Sequence, residues 1–226
     1  MTEDGPAIRV SRHAHQVACA LLEAGTITLS PGTPVTFKSG LRSPVYVDNR
    51  RLISQPAPWR VVIEAFEAEL PASAGRAAGA DVDPVIAGVE SAGIPHSSAL
   101  AFATGRPSVF VRKAAKVHGL GRRIEGGEVA GRRVVLVEDM VTTGGSSLAA
   151  VDALREAGAS VAECLAIITY GFDEAVEAFR TAGVRLSVLT TFEDVVREAL
   201  MAGRIEPAGA DVVRSWLADP HAWDPA

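Results

Sequence analysis

The chain has 226 residues, of which 48% are hydrophobic, 22% charged and 5% aromatic. That is ordinary globular composition and excludes collagen-like, disordered and coiled-coil classes. The 22 Lys+Arg stand against 27 Asp+Glu, a net charge of −5, which argues against a nucleic-acid or membrane partner. The two cysteines, Cys19 and Cys164, are too few for a disulfide framework or a four-cysteine zinc site, and read as small buried hydrophobes in a reducing compartment. The N-terminus, Met-Thr-Glu-Asp-Gly-Pro, is acidic rather than signal-like, and the apolar runs are strand-length. The expected location is cytoplasmic.

In chain order, Val10, Ala14, Val17, Ala18 and Leu21 share a helical face, which predicts a helix over 7–24 with Gly25 at its C-terminal end. Residues 26–55 change character. Thr26–Leu29, Val35–Phe37 and Val45–Val47 read as short β pieces between Pro31-Gly32, Ser39-Gly40 and Ser43-Pro44 turns, a small N-terminal lobe. A helix over 59–70 and an Ala/Gly linker at 72–80 follow.

From Val85 the pattern is regular. Strands are expected at Val85–Val89, Ser108–Val111, Arg133–Val137, Val161–Ile168 and Leu186–Leu189. Helices alternate with them at Gly93–Thr104, Ser146–Glu156 and Asp173–Ala182, with a polar loop at 112–128. Continuously apolar strands alternating with helices predict an α/β fold with a mostly parallel central sheet covered on both faces. Two more helices are expected near 192–202 and 209–218. The predicted organisation is an N-terminal helix and hood lobe at 1–56, an α/β core at 57–200 and a helical tail at 201–226.

The most informative stretch runs from Val134 to Ser147: Val-Val-Leu-Val-Glu-Asp-Met-Val-Thr-Thr-Gly-Gly-Ser-Ser. A buried strand leads to two adjacent acids, Glu138 and Asp139. A hydroxyl- and glycine-rich loop, Thr142, Thr143, Gly144, Gly145 and Ser146, then opens a helix. Amides in such a loop, with the helix dipole behind them, form a phosphate cradle at the C-terminal end of a central strand. The lysine of a P-loop and the dinucleotide fingerprint are both absent. Carboxylates beside a phosphate fit when a sugar lies between them, so the stretch suits a ribose 5-phosphate. Taken alone, Thr-Gly-Gly-Ser also fits an ordinary capped helix. The whole segment resembles the phosphoribosyl-diphosphate signature of the type I phosphoribosyltransferases.

Arg112-Lys-Ala-Ala-Lys-Val-His-Gly-Leu-Gly-Arg-Arg123 holds five Lys/Arg and no acid, leaving 17 basic against 27 acidic residues elsewhere. Such a loop can close over a polyanion and stabilise a leaving group, although charge runs are also common on solvated surfaces. Arg112, Lys113, Lys116 and His118 resemble, in register, the mobile catalytic loop of the orotate phosphoribosyltransferases. Phe37–Asp48 resembles the same family's hood. The resemblance implies that Lys38 contacts phosphoribosyl diphosphate and that Tyr46 and Val47 lie beside orotate, with Val47 in place of a second aromatic residue. Ala87–Pro95 falls where the family has its diphosphate loop, with Glu90 and Ser91 as the binding pair.

The resemblance further implies transfer of the phosphoribosyl group to orotate in pyrimidine synthesis. Lys113, His118 and Asp139 are the implied catalytic residues. Glu138, Asp139, Met140, Val141 and the loop from Thr142 to Ser146 are implied to bind the phosphoribosyl group. It also implies Mg2+ held mainly through the substrate diphosphate, with no protein metal site, and a homodimer with shared active sites. Many members place an orotate-binding arginine near Thr169–Asp173, where this chain has Tyr170-Gly171-Phe172. Arg42 and Arg50 are the candidates for meeting the orotate carboxylate. The histidines His13, His15, His96 and His221 read as structural or surface residues. A phosphoribosyltransferase for another base and a non-catalytic sensor of phosphoribosyl diphosphate are the competing readings.

Overall fold

The structure, a computed structural model, describes residues 8–36, 42–70, 83–114 and 123–223. In chain order its elements are β1 (Ile8–Val10), α1 (Ala14–Glu23), β2 (Ile27–Leu29), β3 (Val35–Thr36), β4 (Arg42–Ser43), β5 (Val45–Val47), a 3-10 turn (Asn49–Ser54) and α2 (Pro56–Glu69). Then come β6 (Val85–Val89), α3 (Gly93–Thr104), β7 (Ser108–Val111), β8 (Ile124–Glu125), β9 (Arg133–Val141), α4 (Gly145–Glu156), β10 (Ser160–Thr169), α5 (Asp173–Ala182), β11 (Arg185–Thr191), α6 (Phe192–Met201) and α7 (Pro207–Ala218).

Seven strands form the main sheet in the order β1-β11-β10-β9-β6-β7-β8. Every pair is parallel except β7 with β8. The apolar run of β9 explains why both faces are covered. Val135 and Val137 enter the core shared with α1, α2, α6 and α7, while Val134 and Leu136 enter the core beneath α4 and α5. Adjacent side chains on a strand point to opposite faces, so a continuous run needs a layer on each. The expected α/β class and parallel sheet are thus observed. Outside the sheet, β2–β5 and β3–β4 make two small antiparallel ladders. No helix among the described residues is long and apolar enough to cross a membrane.

Several expectations change. The helix predicted over 7–24 begins only at Ala14, and Ile8–Val10 is instead an edge strand paired with Leu186–Val188. Helical spacing of Val10 with Ala14 could not reveal a partner strand nearly the whole chain away. The helix does end as expected, with Gly25 in the left-handed region at φ +61°. Cys19 is exposed on α1 and only Cys164 is buried, which corrects half of the cysteine reading. The polar loop contains the strand β8, and β9 runs four residues past the predicted end at Val137. The linker at 72–80 lies outside the described residues.

Candidate active site

The extension of β9 decides the geometry of the acid pair. Glu138 and Asp139 lie on the strand itself, in register with β10: Glu138 pairs with Ala166 and Met140 with Ile168. Strand alternation therefore sends the two acids to opposite faces. Glu138 is only 5% exposed. Its carboxylate accepts hydrogen bonds from Ser147 Oγ of α4 (3.3 Å) and from the Asp139 N–H (3.2 Å). Burial, and then the neighbouring Asp139 charge, push the Glu138 carboxyl up to about 9. Asp139 is half-buried, and burial raises its carboxyl too, while hydrogen bonding with Glu138, nearby backbone amides and then Arg50 oppose the rise.

Asn49 links the hood to this strand end. Fully buried, it donates from Nδ2 to the Asp139 carbonyl at 3.0 Å. Sequence reading missed this residue, since nothing in Asp48-Asn49-Arg50 announces a partner ninety residues on. Arg50, a candidate for the orotate carboxylate, is exposed and paired with Asp48 at 2.5 Å. Arg42 is exposed, and its carbonyl accepts a hydrogen bond from Trp216 Nε1 at 3.0 Å.

After Val141 the chain turns sharply at Gly144, which has φ +87° and caps α4. A Cβ there would lie 2.9 Å from the Phe179 ring, so both conformation and packing require glycine. Gly145, by contrast, opens the helix with no atom within 4 Å of a would-be Cβ. The first N–H groups of a helix have no intrahelical acceptor, and a helix start with free space beside it suits an anion.

Beside the cradle, Lys113, Arg112, Arg123 and Ser146 line a cavity of about 340 Å3. Arg112 is held by Glu125 (3.0 Å), and the Lys113 N–H donates to Glu90 Oε2 at 2.9 Å. Arg112 Nη1 is thus held by Glu125, while its Nε is buried without a hydrogen-bond partner among the described residues. The Glu90–Ser91 peptide is cis. Gly88 and Gly93 are tightly packed: a Cβ on Gly88 would lie 2.2 Å from Ser97 Oγ, and one on Gly93 2.7 Å from the Val137 carbonyl. Lys38, Lys116 and His118 lie outside the described residues.

On the hood side a larger cavity, about 730 Å3, brings together Tyr46 and Val47, then Met140, Thr142 and Thr143, then Tyr170–Glu174, and finally Trp216–His221. Tyr170 stacks on Phe172 with centroids 5.3 Å apart and meets Trp216 edge-on at 5.0 Å. Burial pushes the Tyr170 hydroxyl upward, so it stays protonated. The tail's share in this wall was not legible in the sequence.

One further cluster lies away from these cavities. His15 Nδ1 is 2.9 Å from Glu198 Oε1, and Cys19 Sγ is 3.9 Å from Glu198 Oε2. Comparing the histidines only with one another missed this mixed set. Arg197 also sits 3.4 Å from the same carboxylate, which already meets it with positive charge.

Comparison with known proteins shows the family. Residues 68–182 match the phosphoribosyl transferase domain. The orotate phosphoribosyltransferase of Bacillus caldolyticus is 37% identical over 92% of this chain and 98% of its own length. The chain belongs to the orotate phosphoribosyltransferase family. The orotate phosphoribosyltransferase of Bacteroides thetaiotaomicron is 40% identical over 90% of this chain and 93% of its own. The crystal structure of the orotate phosphoribosyltransferase from Aeropyrum pernix superposes with a TM-score of 0.68 at 28% identity, covering 84% of this chain and 99% of that one. Within an orotate phosphoribosyltransferase fold, the hood, the acid pair and the α4 loop all border the same end of the sheet.

Proposed function

We propose that this chain transfers the 5-phosphoribosyl group of 5-phosphoribosyl 1-diphosphate to orotate, giving orotidine 5′-monophosphate and diphosphate in pyrimidine synthesis. The observation that carries the reading is the α4 loop. Thr142 and Thr143 line the large cavity while Ser146 lines the small basic one. In this reading one loop holds a phosphate between a cavity for a planar base and a cation-lined space for diphosphate.

Orotate N1 attacks the anomeric carbon; the N1–C1′ bond forms as the C1′–O bond to diphosphate breaks, with inversion. No protein nucleophile is needed, and Cys164 is buried under α4, away from both cavities. The half-buried Asp139 accepts hydrogen bonds from ribose hydroxyls and holds the sugar in line. Lys113 supplies charge against the departing diphosphate. Lys38, Lys116 and His118 complete that set in this reading. Glu138, turned toward Ser147, fixes the strand end rather than meeting the sugar in the unligated form.

Asp139 is a hard oxygen donor beside a space for phosphates, which suits Mg2+; the ion would be held chiefly by the diphosphate and would neutralise part of its charge. The reading includes a homodimer whose basic loops reach the neighbouring sites. It also includes a cytoplasmic location, in keeping with cysteines that are both unbridged.

A second reading, transfer to an uncharged base, is favoured by one observation: Asp173, Glu174 and Asp219 line the large cavity. Incubation with Mg2+, phosphoribosyl diphosphate and each of orotate, uracil, adenine, guanine and hypoxanthine separates the two. Loss of orotate absorbance supports the first. Turnover of another base with none of orotate refutes it.

A further inference from the structure

The base cavity poses a charge problem. Orotate carries a carboxylate, yet the lining contributes three acids, Asp173, Glu174 and Asp219. Arg42 and Arg50 are not among the lining residues, and the segment at 169–173 has no arginine. Among the described lining residues the one basic side chain is His221, three residues beyond the end of α7.

The tail is built into this position. Trp216 is fully buried and donates from Nε1 to the Arg42 carbonyl of the hood. It also meets Tyr170 and Phe172 edge-on, at 5.0 and 5.9 Å. Gly209 lies so close to the hood that a Cβ there would come within 3.0 Å of Pro31. Beyond Trp216, Asp219 Oδ1 accepts from the Ala222 N–H at 3.0 Å, closing the turn that carries His221 back to the cavity. These contacts join α7 to both the hood and the core, so the segment that follows is held at the cavity wall.

We propose that Trp216–His221 is a subsite of the base cavity and that His221 is the group that meets the carboxylate of a carboxylated pyrimidine. The inference rests on the orotate reading above. An imidazole N–H donates a hydrogen bond to a carboxylate whether the ring is neutral or charged. Trp216 and the aromatic pair Tyr170–Phe172 give the apolar wall against which a planar base can lie, with His221 at the exposed rim of the cavity. His221 therefore supplies, from the tail, the basic group that no other described lining residue of this cavity offers.

The test uses the full chain and three proteins: the parent, His221→Ala and His221→Gln. His221 is exposed at the chain's end, so neither change endangers folding. Initial rates are measured against orotate at saturating phosphoribosyl diphosphate, and the reverse. Binding of uracil, which lacks the carboxylate, is measured as competitive inhibition. Expected is a rise in KM for orotate of about tenfold or more in His221→Ala, the size of losing a hydrogen bond to a charged group. KM for phosphoribosyl diphosphate and the uracil inhibition constant should stay within about twofold, and His221→Gln, which keeps a donor, should recover part of the loss. An unchanged orotate KM in His221→Ala overturns the inference while leaving the activity intact. Equal rises for orotate, uracil and phosphoribosyl diphosphate overturn it too, since the tail would then act on the whole site. A parent that does not turn over orotate fails earlier, and what falls first is the orotate reading itself.

Discussion

His96 makes the stability of this protein depend on pH in a way that can be worked out from its contacts. It sits fully buried on α3, and its Nδ1 accepts the Trp59 Nε1–H of α2 at 2.9 Å. Trp59 can only donate, so the ring must be the tautomer with its proton on Nε2. That nitrogen has no hydrogen-bond partner among the described residues. Protonating Nδ1 would set two donors face to face and bury a charge. Burial accordingly lowers the group from 6.5 to about 4. Because the unfolded chain takes up this proton first, stability is lost as pH falls from the unfolded toward the folded value, and is flat below it.

At about 1.36 kcal/mol per pH unit, a fall from 6.5 to about 4 makes the loss about 3 kcal/mol. That is a sizeable fraction of a typical domain's stability of about 5–15 kcal/mol. Urea unfolding of the parent and of His96→Gln, at several pH values between about 7 and about 4.5, measures it. Glutamine can still accept from Trp59 but does not titrate. Carboxylates contribute the same slope to both proteins, so the difference between the two curves isolates His96. The parent should lose about 2–3 kcal/mol more than the variant over that range. Parallel curves would refute the argument.

Gly144→Ala should destabilise by about 1–3 kcal/mol, from a positive φ and the clash with Phe179, whereas Gly145→Ala should leave the unfolding midpoint nearly unchanged. Gly145→Val should nonetheless weaken binding of phosphoribosyl diphosphate by titration calorimetry, because the added side chain occupies the open space before α4; unaltered binding would mean the loop is not the phosphate cradle. Lys113→Ala should lower kcat by about a hundredfold, with little change in thermal midpoint, as expected when a transition-state donor is removed from an exposed segment. Asn49→Ala should cost about 1–3 kcal/mol and should lower kcat as well, since it frees the Asp139 backbone from the hood; a stability loss with kcat intact would confine Asn49 to packing.

The local pattern determined much of this protein. Alternation of apolar strands with helices was enough for the parallel sheet, because a strand buried on both faces cannot afford polar positions. The bounds expected for the helices Asp173–Ala182 and Gly93–Thr104 match to the residue. The acid pair and the Thr-Thr-Gly-Gly-Ser loop could be placed from the sequence because they form one contiguous strand, loop and helix start. What the sequence could not supply were relations between distant segments. Ile8–Val10 became a strand only because β11 offered a free edge. Glu138 and Asp139, neighbours in the chain, were parted by strand alternation once β9 ran on through them. The larger cavity takes its walls from the N-terminal lobe, from β9, from the segment after β10 and from the tail, four stretches with no shared periodicity. Spacing encodes contacts along one helix or strand; which elements meet around a cavity depends on how whole layers pack, and that was decided only in the folded chain.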